Sequence, residues 1–364
     1  MKAAILEEVN GPFRIADVNI ADPLENEVLI DVQASGLCHS DQHVATVETG
    51  FPLPLLLGHE VAGIVAAVGS RVHDVQVGDH VVTAPIHHCG QCRTCLQGRP
   101  YQCANKRFTE RPAGAPPRLT LDGDPITAFQ GVGGFAEHIL AHENIVVKVP
   151  KDIPFDRACL LGCGVVTGAG AAINSARVRP GDTVAVIGCG GVGLNTVQAA
   201  ALSGAERIVA LDMQDAKLEL AKTFGATDVI NPQKTDAVDA IQELTGGVTH
   251  AFEFVGNKVT SEQAVAMLET GGTAYLIGVH KPGATIEITP FGDLMSKQKG
   301  VRGVAMGSSN PKIDIPRYAS LYLQGRFKLD ELVSRRIGLG DIAQSYADMA
   351  DGGVARNVIT DFSG

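Results

Sequence analysis

The feature that most constrains the fold of this 364-residue chain is a regular alternation of strand and helix patterns that begins near residue 158. Short apolar runs rich in β-branched residues are separated by segments with helical periodicity. Strands that alternate with helices form a parallel sheet whose two faces the helices cover. We therefore predict a doubly wound α/β domain, with strands at residues 183–188, 207–212, 228–231, 250–255 and 272–279.

A glycine-rich turn follows the first predicted strand, and its residues are Gly188, Gly190, Gly191, Val192 and Gly193. Glycines at this spacing allow a tight turn, close approach of a pyrophosphate to the backbone and close packing of helix on strand. The following helix N-terminus favours the phosphates. Asp212 ends the next strand, where a carboxylate binds ribose hydroxyls and repels a 2′-phosphate. The pattern predicts NAD rather than NADP; a structural glycine turn with a solvated Asp212 is the alternative.

The first 150 residues have a different pattern, typical of β structure. Residues 28–32 alternate apolar and polar side chains, residues 61–69 form a buried apolar run, and residues 77–82 follow as a further strand. Residues 111–124 are rich in proline, glycine and charge, which predicts a surface loop. Because the chain exceeds the size of most single cores, we expect a second, β-rich domain.

Charge and composition exclude several classes of function. The net charge is −10 and no strongly basic run occurs, which argues against nucleic acid and anionic membranes as partners. The start of the chain becomes acidic at once, unlike a signal peptide, so a cytoplasmic location is expected. Residues 183–205 are uncharged and long enough to raise the question of a membrane span. Their glycines and polar side chains such as Asn195 favour a strand, a turn and a helix instead.

Four of the eight cysteines form a cluster at residues 86–106, namely Cys89, Cys92, Cys95 and Cys103. Two-residue gaps bring successive thiolates round one small ion, and a fourth thiolate completes a tetrahedron. A four-cysteine shell leaves no position open, so this lobe predicts a structural zinc ion. Disulfides are the alternative, but a reducing compartment disfavours them.

A second group of candidate ligands lies between residues 36 and 60. Cys38 and His59 are a thiol and an imidazole, the pair that zinc prefers. Two ligands cannot complete a site, so a further ligand has to come from elsewhere. Cys159 and Cys163 occur in an apolar, glycine-rich stretch where the β pattern gives way to the strand–helix alternation.

Five motifs occur in one order: Gly-Leu-Cys-His-Ser-Asp at 36–41, Gly-His-Glu at 58–60, the four-cysteine lobe, Gly-Cys-Gly-x-x-Thr-Gly at 162–168, and the dinucleotide turn. Together they resemble the zinc-dependent alcohol dehydrogenases of the medium-chain dehydrogenase/reductase superfamily, over essentially the whole chain. The resemblance implies a GroES-like, partly open β-barrel catalytic domain at 1–164 and 305–364. It also implies a Rossmann coenzyme domain at 165–304.

The resemblance also assigns roles around the metal. Cys38, His59 and Cys163 match the ligands of the catalytic zinc, the Cys₂His set known for this family. Glu60 matches an acid behind the metal that can transiently ligate it. Asp41 matches the acid that hydrogen-bonds the ligand imidazole of His59. Zinc lowers the pKa of a bound alcohol, and hydride then passes to NAD.

Further positions match groups that move the proton or hold the cofactor. Ser40 matches the hydroxyl that takes the alcohol proton, and His43 the residue that passes it on to solvent. His39 and Arg356 match cations that contact the pyrophosphate, although arginine is common at the first position. Lys217 matches a contact to the adenosine ribose. The positions that match the nicotinamide site are Thr167, Val192, Ile277, Val304 and Met306.

The leading hypothesis is an NAD-dependent dehydrogenase of primary aromatic, allylic or medium-chain alcohols that gives the aldehyde. Pocket candidates are Ser40, Thr49, Pro85 and Phe129. One alternative is a dehydrogenase of formaldehyde–thiol adducts, which shares these motifs; Arg107, Arg111 and Arg118 lie in the relevant loop. A zinc- and NAD-binding protein without catalysis is the non-enzyme alternative. Residues 108–138 resemble the longer loop of the dimeric branch, so a homodimer is expected, through strands near 273–279 and the segment up to 304.

Overall fold

A computed structural model of the chain describes residues 1–350 and 355–363. The chain divides into two compact units, Met1–Cys163 with Asn310–Gly364, and Gly164–Ser309. We call them the first and the second unit. The first division follows residue 163, one residue before the boundary expected from the sequence. The return to the first unit comes at residue 310, five residues later than expected.

The second unit contains the predicted parallel sheet. Its six strands, in spatial order, are Asp228–Ile230, Arg207–Leu211, Thr183–Ile187, Val248–Glu253, Leu268–Leu276 and Gly300–Gly303. In chain order this is 3-2-1-4-5-6, the order of a doubly wound dinucleotide-binding sheet. The prediction of a doubly wound α/β fold is therefore confirmed. The strand order reverses between Thr183–Ile187 and Val248–Glu253, and ligands bind such sheets outside this reversal.

Helices of the second unit are Gly164–Gly170, Ala171–Ala176, Gly191–Leu202, Asp215–Thr223, Ala237–Thr245, Lys258–Ala266, Pro290–Met295 and Met306–Ser308. Local sequence explains their ends. The Asp236 carboxylate accepts hydrogen bonds from the amides of Val238 and Asp239, both at 2.9 Å, and so caps the helix that follows. Gly246 ends that helix in the left-handed conformation. Buried side chains such as Val209 and Ile241 form the core.

The first unit is rich in β structure, as predicted, and most of its strands pair antiparallel. Its seven-stranded sheet contains Glu27–Gly36, Glu60–Val68, His80–Thr83, His138–His142, Val146–Lys148, Val333–Gly338 and Arg356–Asp361. The pairing register of these strands determines where the candidate metal ligands lie. Glu60 pairs with Gly36, and Val358 pairs with the same Gly36 from the other side. Three distant segments therefore meet at one end of this sheet.

The remaining strands of the first unit are Lys2–Leu6, Phe13–Asp17, Asn19–Ile20, Leu55–Leu56, Leu119–Leu121, Asp124–Pro125 and Thr127–Ala128. Its helices are His39–Thr46, Arg93–Leu96, Pro100–Gln102, Lys106–Thr109, Phe129–Gly131, Glu143–Ile145, Phe155–Ala158, Cys159–Gly162, Pro311–Leu323, Asp330–Leu332, Leu339–Asp341 and Ile342–Ala350. Residues 111–124 are not wholly a surface loop, because Leu119–Leu121 pairs with Asn19–Ile20. Leu119 and Leu121 are buried. The free energy gained by burying their apolar surface outweighs the tendency of the surrounding proline and glycine to form a loop.

No single helix in residues 1–350 and 355–363 is long and apolar enough to cross a membrane. One bent pair, Phe155–Gly162 with Gly164–Ala176, passes a test of length and composition only when its two parts are taken together. Most of the side chains in this pair are buried. The uncharged residues 183–205 form the strand Thr183–Ile187, the glycine turn and the helix Gly191–Leu202, as predicted.

Candidate active site

Four potential metal ligands meet in the first unit, and they come from three segments of the chain. The ligand atoms of Cys38, His59, Glu60 and Cys163 all lie within 4.8 Å of one another. Each of the four residues is buried, with at most 7% of its surface exposed. Two thiols, an imidazole and a carboxylate at this separation form a donor set that fits a zinc ion.

Cys38 is held at the start of a helix. It adopts an extended conformation as the N-cap of His39–Thr46. The unpaired amides and the dipole of a helix N-terminus favour a thiolate over a thiol. Asp41, Val44 and Ala45 form the buried side of this helix, which fixes its orientation against the core.

His59 is oriented by the backbone before it and by a buried acid. Gly58 has φ of 92°, and a β-carbon there would lie 2.5 Å from the ring of Phe135, so only glycine fits. The Gly58 amide donates to Asp41 Oδ1 at 3.0 Å, and His59 Nδ1 lies 2.9 Å from the same oxygen. His59 Nε2 is thereby turned towards Cys163 Sγ, 3.1 Å away.

The thiols of Cys38 and Cys163 have pKa values shifted in opposite directions. A hydrogen bond from Cys163 lowers the pKa of Cys38 well below its ordinary value, and the same bond raises the pKa of Cys163 well above it. Burial alone lowers the pKa of His59, but the charges of Asp41 and Cys38 outweigh burial and raise it well above normal. The pocket therefore favours a thiolate at Cys38, the form that binds zinc.

Glu60 and Arg356 form a buried pair beside the ligands. Burial raises the pKa of Glu60 to about 7, although Arg356 opposes the shift. The Arg356 guanidinium lies 3.4 Å from Glu60 Oε1 and 3.8 Å from Cys38 Sγ. Glu60 Oε2 has no hydrogen-bond partner in the part of the chain that the structure describes. A buried acceptor without a donor is a further feature that suits a cation.

Of the residues predicted to move the proton, Ser40 and His43 lie three positions apart on His39–Thr46, so they share one face of the helix. Both are half-buried, whereas His39 is exposed. Among the pocket candidates, Phe129 is buried and its ring meets that of His59 edge to face at 5.7 Å. Pro85 is half-buried and Thr49 is exposed.

The four-cysteine lobe is a separate group in the first unit. Sulfur–sulfur distances are 3.4 Å for Cys92 and Cys95, 3.8 Å for Cys92 and Cys103, and 3.6 Å for Cys103 and Cys89. A tetrahedral zinc ion with zinc–sulfur bonds of about 2.3 Å would separate its sulfurs by about 3.8 Å. A hydrogen bond from Thr94 lowers the pKa of Cys92 to about 5, which favours the thiolate. The lobe thus fits a closed structural site.

In the second unit, the glycine turn lies at the C-terminal end of Thr183–Ile187. Gly188 has φ of 95°, and a β-carbon at Gly193 would lie 1.9 Å from the Gly188 carbonyl oxygen. At Gly190 the same position is open, which leaves room for a phosphate beside the helix N-terminus. Asp212 Oδ2 accepts from the Cys189 amide at 2.9 Å and so ties the turn to the next strand.

The other predicted cofactor residues of the second unit lie in two groups. Thr167 and Met306 are in contact, with the hydroxyl 3.8 Å from the sulfur, and Val304 is buried. Val192 and Ile277 are half-buried at the ends of other elements, and Lys217 lies on Asp215–Thr223. Met213 and Val255 follow the C-terminal ends of two parallel strands, and these apolar side chains are 62% and 50% exposed.

A buried thiol–imidazole pocket and a doubly wound sheet with a glycine turn together define a metal-dependent, dinucleotide-using dehydrogenase. Residues 24–151 match the family description "Alcohol dehydrogenase GroES-like domain", and residues 191–323 match "Zinc-binding dehydrogenase". The S-(hydroxymethyl)glutathione dehydrogenase of Synechocystis sp. is 37% identical over 366 residues, which cover 98% of this chain and 99% of the relative.

Two solved structures are similar over nearly the whole chain. An alcohol dehydrogenase zinc-binding domain protein from Burkholderia ambifaria has a TM-score of 0.94 and 38% identity, covering 99% of this chain and 98% of that one. The benzyl alcohol dehydrogenase of Acinetobacter calcoaceticus has a TM-score of 0.93 and 36% identity, covering 99% of both chains. This chain belongs to the zinc-dependent alcohol dehydrogenases of the medium-chain dehydrogenase/reductase superfamily, as its motifs indicated.

Membership confirms the predicted GroES-like and Rossmann fold classes, and it confirms that the chain is an enzyme, an oxidoreductase of small-molecule alcohols. Its cofactors are zinc and a nicotinamide dinucleotide, as expected from the donor sets and the glycine turn. The relatives leave an alcohol and a formaldehyde–thiol adduct equally open as the substrate.

Proposed function

We propose that this enzyme oxidises primary alcohols to aldehydes with NAD, and that aromatic alcohols are its preferred class. The observation that carries the proposal is the buried cluster of Cys38, His59, Glu60 and Cys163 within 4.8 Å. A zinc ion bound there supplies a Lewis acid that lowers the pKa of an alcohol, and NAD supplies the hydride acceptor. The protein supplies position, charge and a path for the proton.

Cys38, His59 and Cys163 would hold the metal, and Asp41 would hold His59. Because Asp41 Oδ1 accepts from both the Gly58 amide and His59 Nδ1, the imidazole is confined to one tautomer and one orientation. Two thiolates neutralise a divalent cation, so the pocket needs no further anion. Arg356 would balance Glu60 while that carboxylate stays off the metal. Arg356 is also proposed to contact the cofactor pyrophosphate.

Ser40 would take the proton of the alcohol hydroxyl, and His43 would pass it to solvent. Their spacing of one helical turn suits a relay along one face of His39–Thr46. Both side chains are half-buried, so a proton can leave without opening the buried ligands to water.

An aromatic alcohol is favoured by the rings beside the proposed ligand His59. Phe129 meets His59 edge to face at 5.7 Å, and Phe51 meets Phe129 edge to face at 5.2 Å. Aromatic rings pack well in such edge-to-face arrangements. The similarity to a benzyl alcohol dehydrogenase supports the same substrate class.

A dehydrogenase of formaldehyde–thiol adducts is the second candidate, because a similar relative carries that activity in its name. All three arginines that could receive the carboxylates of a thiol cofactor are already paired, and Arg107 pairs with Glu110 at 2.9 Å on the exposed surface. Arg111 and Arg118 both bind the Glu27 carboxylate, at 2.6 and 2.7 Å. Arg107 is exposed and lines a cavity of about 550 Å³ together with Lys106. These two cations would have to serve alone.

NAD rather than NADP is proposed because Asp212 ends its strand with a negative charge near the ribose position. The second oxygen of its carboxylate accepts from the Gln214 amide at 3.0 Å, so both oxygens are oriented by backbone. A carboxylate held there repels a 2′-phosphate.

A homodimer in the cytoplasm is also proposed. Gly300–Gly303 lies at the edge of the parallel sheet, where a second copy could add a strand. Phe291 and Met295 precede this edge and are 72% and 68% exposed. Apolar side chains with so much exposed surface, close in sequence to an edge strand, are typical of an interface between protein chains. All eight cysteines are free thiols, which suits a reducing compartment.

NAD reduction across a panel of alcohols tests the proposal. Benzyl and cinnamyl alcohols should support turnover by the zinc-loaded enzyme, and Cys38→Ala should abolish it. Cys159→Ala is the matched control, because Cys159 is equally buried but lies outside the ligand group. Turnover only with formaldehyde and a low-molecular-weight thiol would favour the second candidate. No turnover with any substrate would favour a protein without catalysis.

A further inference from the structure

A strained segment of the second unit lies among the residues assigned to the nicotinamide. Met306, Gly307 and Ser308 have φ of 49°, 61° and 50°, three consecutive residues in the left-handed region. Glycine adopts this region freely, but side-chain-bearing residues do so rarely and at a cost in energy. Such a segment persists only when its surroundings hold it in place.

The surroundings are the helix Gly164–Gly170 and the turn of helix that follows it. A β-carbon at Gly307 would lie 2.4 Å from the Val166 carbonyl oxygen, so the backbones touch directly. Ser309 Oγ donates to the same carbonyl at 3.0 Å. The same hydroxyl lies 3.4 Å from the Gly307 carbonyl oxygen, so it holds the end of the segment.

A side-chain hydrogen bond holds Ser308 itself. Ser308 Oγ and Ser175 Oγ lie 2.8 Å apart, and both side chains are buried, 9% and 5% exposed. Ser175 is itself anchored, since its carbonyl oxygen accepts from the Arg302 guanidinium at 3.0 Å. The left-handed conformation of Ser308 is therefore stabilised by a hydrogen bond to a residue that is itself held in place by Arg302.

We propose that the Ser175–Ser308 hydrogen bond is a positioning contact that holds residues 306–308 in the shape that receives the nicotinamide. The inference rests on the proposed function, which places the nicotinamide against Thr167, Val304 and Met306. Thr167 and Met306 are in contact, so a shift of the segment would change how these two residues of that site lie against each other. Neither serine touches a reacting atom; both act through the backbone of Met306.

Removing one hydroxyl leaves the other buried without its partner, and an unpaired buried hydroxyl is strongly unfavourable. The segment is then held less firmly, because the Ser308 side chain no longer helps its backbone contacts to oppose the strain. Removing both hydroxyls takes away the unpaired group but also the tether. The two substitutions should therefore be non-additive, as expected for partners in one contact.

Dissociation constants of NADH and ADP-ribose, measured on the zinc-loaded protein, separate a local from a general effect. ADP-ribose lacks the nicotinamide, so it reports the rest of the cofactor site. Ser175→Ala and Ser308→Ala should each raise the dissociation constant of NADH about tenfold, the equivalent of about 1.4 kcal/mol. They should leave that of ADP-ribose within about twofold. The double variant should bind NADH no more weakly than the weaker single variant.

Hydrogen exchange of the cofactor-free protein gives a readout that needs no ligand. The Ser308 amide donates to the Ala305 carbonyl oxygen at 3.0 Å, and its exchange should accelerate in both single variants. Ser203→Ala is the matched control, because that hydroxyl bonds only its own helix at the Ala199 carbonyl oxygen. It should change neither exchange at Ser308 nor NADH binding. If the alanine variants do not fold, Ser308→Gly suits φ of 50° and lacks the same hydroxyl.

Equal NADH binding by wild type and both single variants would overturn the inference while leaving the proposed function intact. Equal weakening of NADH and ADP-ribose would overturn it too, because the effect would then be general. A wild-type protein that binds neither NADH nor ADP-ribose would overturn the inference together with the proposed function.

Discussion

Asp41 has no exposed surface and no direct part in the reaction, yet the orientation of His59 depends on it. Its Oδ1 accepts from the Gly58 amide and from His59 Nδ1. Partners of this kind set the tautomer and the basicity of a metal-bound imidazole. We propose that the carboxylate acts on the metal through His59, so its removal should affect metal binding before it affects the fold.

Asp41→Asn should weaken zinc binding at the catalytic site by about 10- to 100-fold, because a neutral amide no longer stabilises the imidazole orientation. Competition with a chromogenic chelator measures the affinity. Asp31→Asn is the matched control, since Asp31 forms the same kind of contact with His138 at 2.8 Å on the exposed surface. Unchanged zinc affinity in Asp41→Asn would contradict the assigned role.

Asp212→Asn should shift the ratio of turnover with NAD to turnover with NADP towards NADP by at least about tenfold, since the charge that repels the 2′-phosphate is lost. Asparagine keeps an oxygen for one of the Cys189 and Gln214 amides, whereas glycine would leave both without an acceptor. Asp228→Asn, on the neighbouring strand, should leave the ratio unchanged. The same ratio in wild type and Asp212→Asn would show that the preference comes from elsewhere.

For single residues, the sequence motifs predicted most of the candidate metal ligands. Cys38, His59 and Cys163 were named from short motifs, and the structure brings them together. The strained backbone at Ser308 had no sequence indication, because serine occurs in every conformation.

At the scale of elements, one buried acid anchors the long segment after the four-cysteine lobe. Glu27 binds Arg111 and Arg118, and its side chain is 4% exposed. Arg111 also donates to the carbonyl oxygens of Pro116 and Asp22. Proline, glycine and charge in this segment predicted a loop, because the sequence does not show that Glu27, over 80 residues earlier, is the partner. The pairing is a tertiary contact that no local pattern contains.

Glu27→Gln should lower the free energy of unfolding by about 3 kcal/mol, because it leaves two half-buried guanidinium groups without their anion. Urea titration measures the loss. Glu7→Gln is the matched control, since Glu7 pairs with Arg14 at 2.8 Å on the exposed surface and should matter little. A similar loss of unfolding free energy in both variants would indicate that the Glu27 ion pairs contribute no more to stability than the exposed Glu7 pair.

The same pair predicts how stability depends on pH. Burial would raise the pKa of Glu27, but Arg111 and Arg118 lower it from its ordinary 4.5 to about 2. Its contribution is therefore present above pH 4.5 and is lost as the pH falls to about 2. The stability difference between wild type and Glu27→Gln should shrink across this interval. A constant difference would contradict the cause given.

For the whole molecule, the sequence predicted two domains and a doubly wound sheet because the strand–helix alternation is regular over a hundred residues. Antiparallel pairing in the first unit was harder to predict. Gly36 lies between Glu60 and Val358, and the second of these comes from the far end of the chain. Only the folded sheet brings Arg356 beside Glu60, which explains why the motif match assigned it to the cofactor alone.

Phe291→Asp combined with Met295→Asp should convert the proposed dimer to a monomer, because two charges would be buried in the interface. Light scattering after size exclusion measures the mass. Leu96→Asp is the matched control, since Leu96 is 75% exposed but lies in the four-cysteine lobe. A dimer that survives the double substitution would place the interface elsewhere.

We propose that Cys38, His59 and Cys163 hold a catalytic zinc ion separate from the zinc of the four-cysteine lobe. Zinc content and NAD reduction with benzyl alcohol, measured side by side in wild type, Cys163→Ala and Cys159→Ala, test it most directly. Wild type and Cys159→Ala should contain two zinc ions per chain, one for each donor group, and produce NADH. Cys163→Ala should retain one zinc ion and produce none. Full zinc content and activity in Cys163→Ala would contradict the claim.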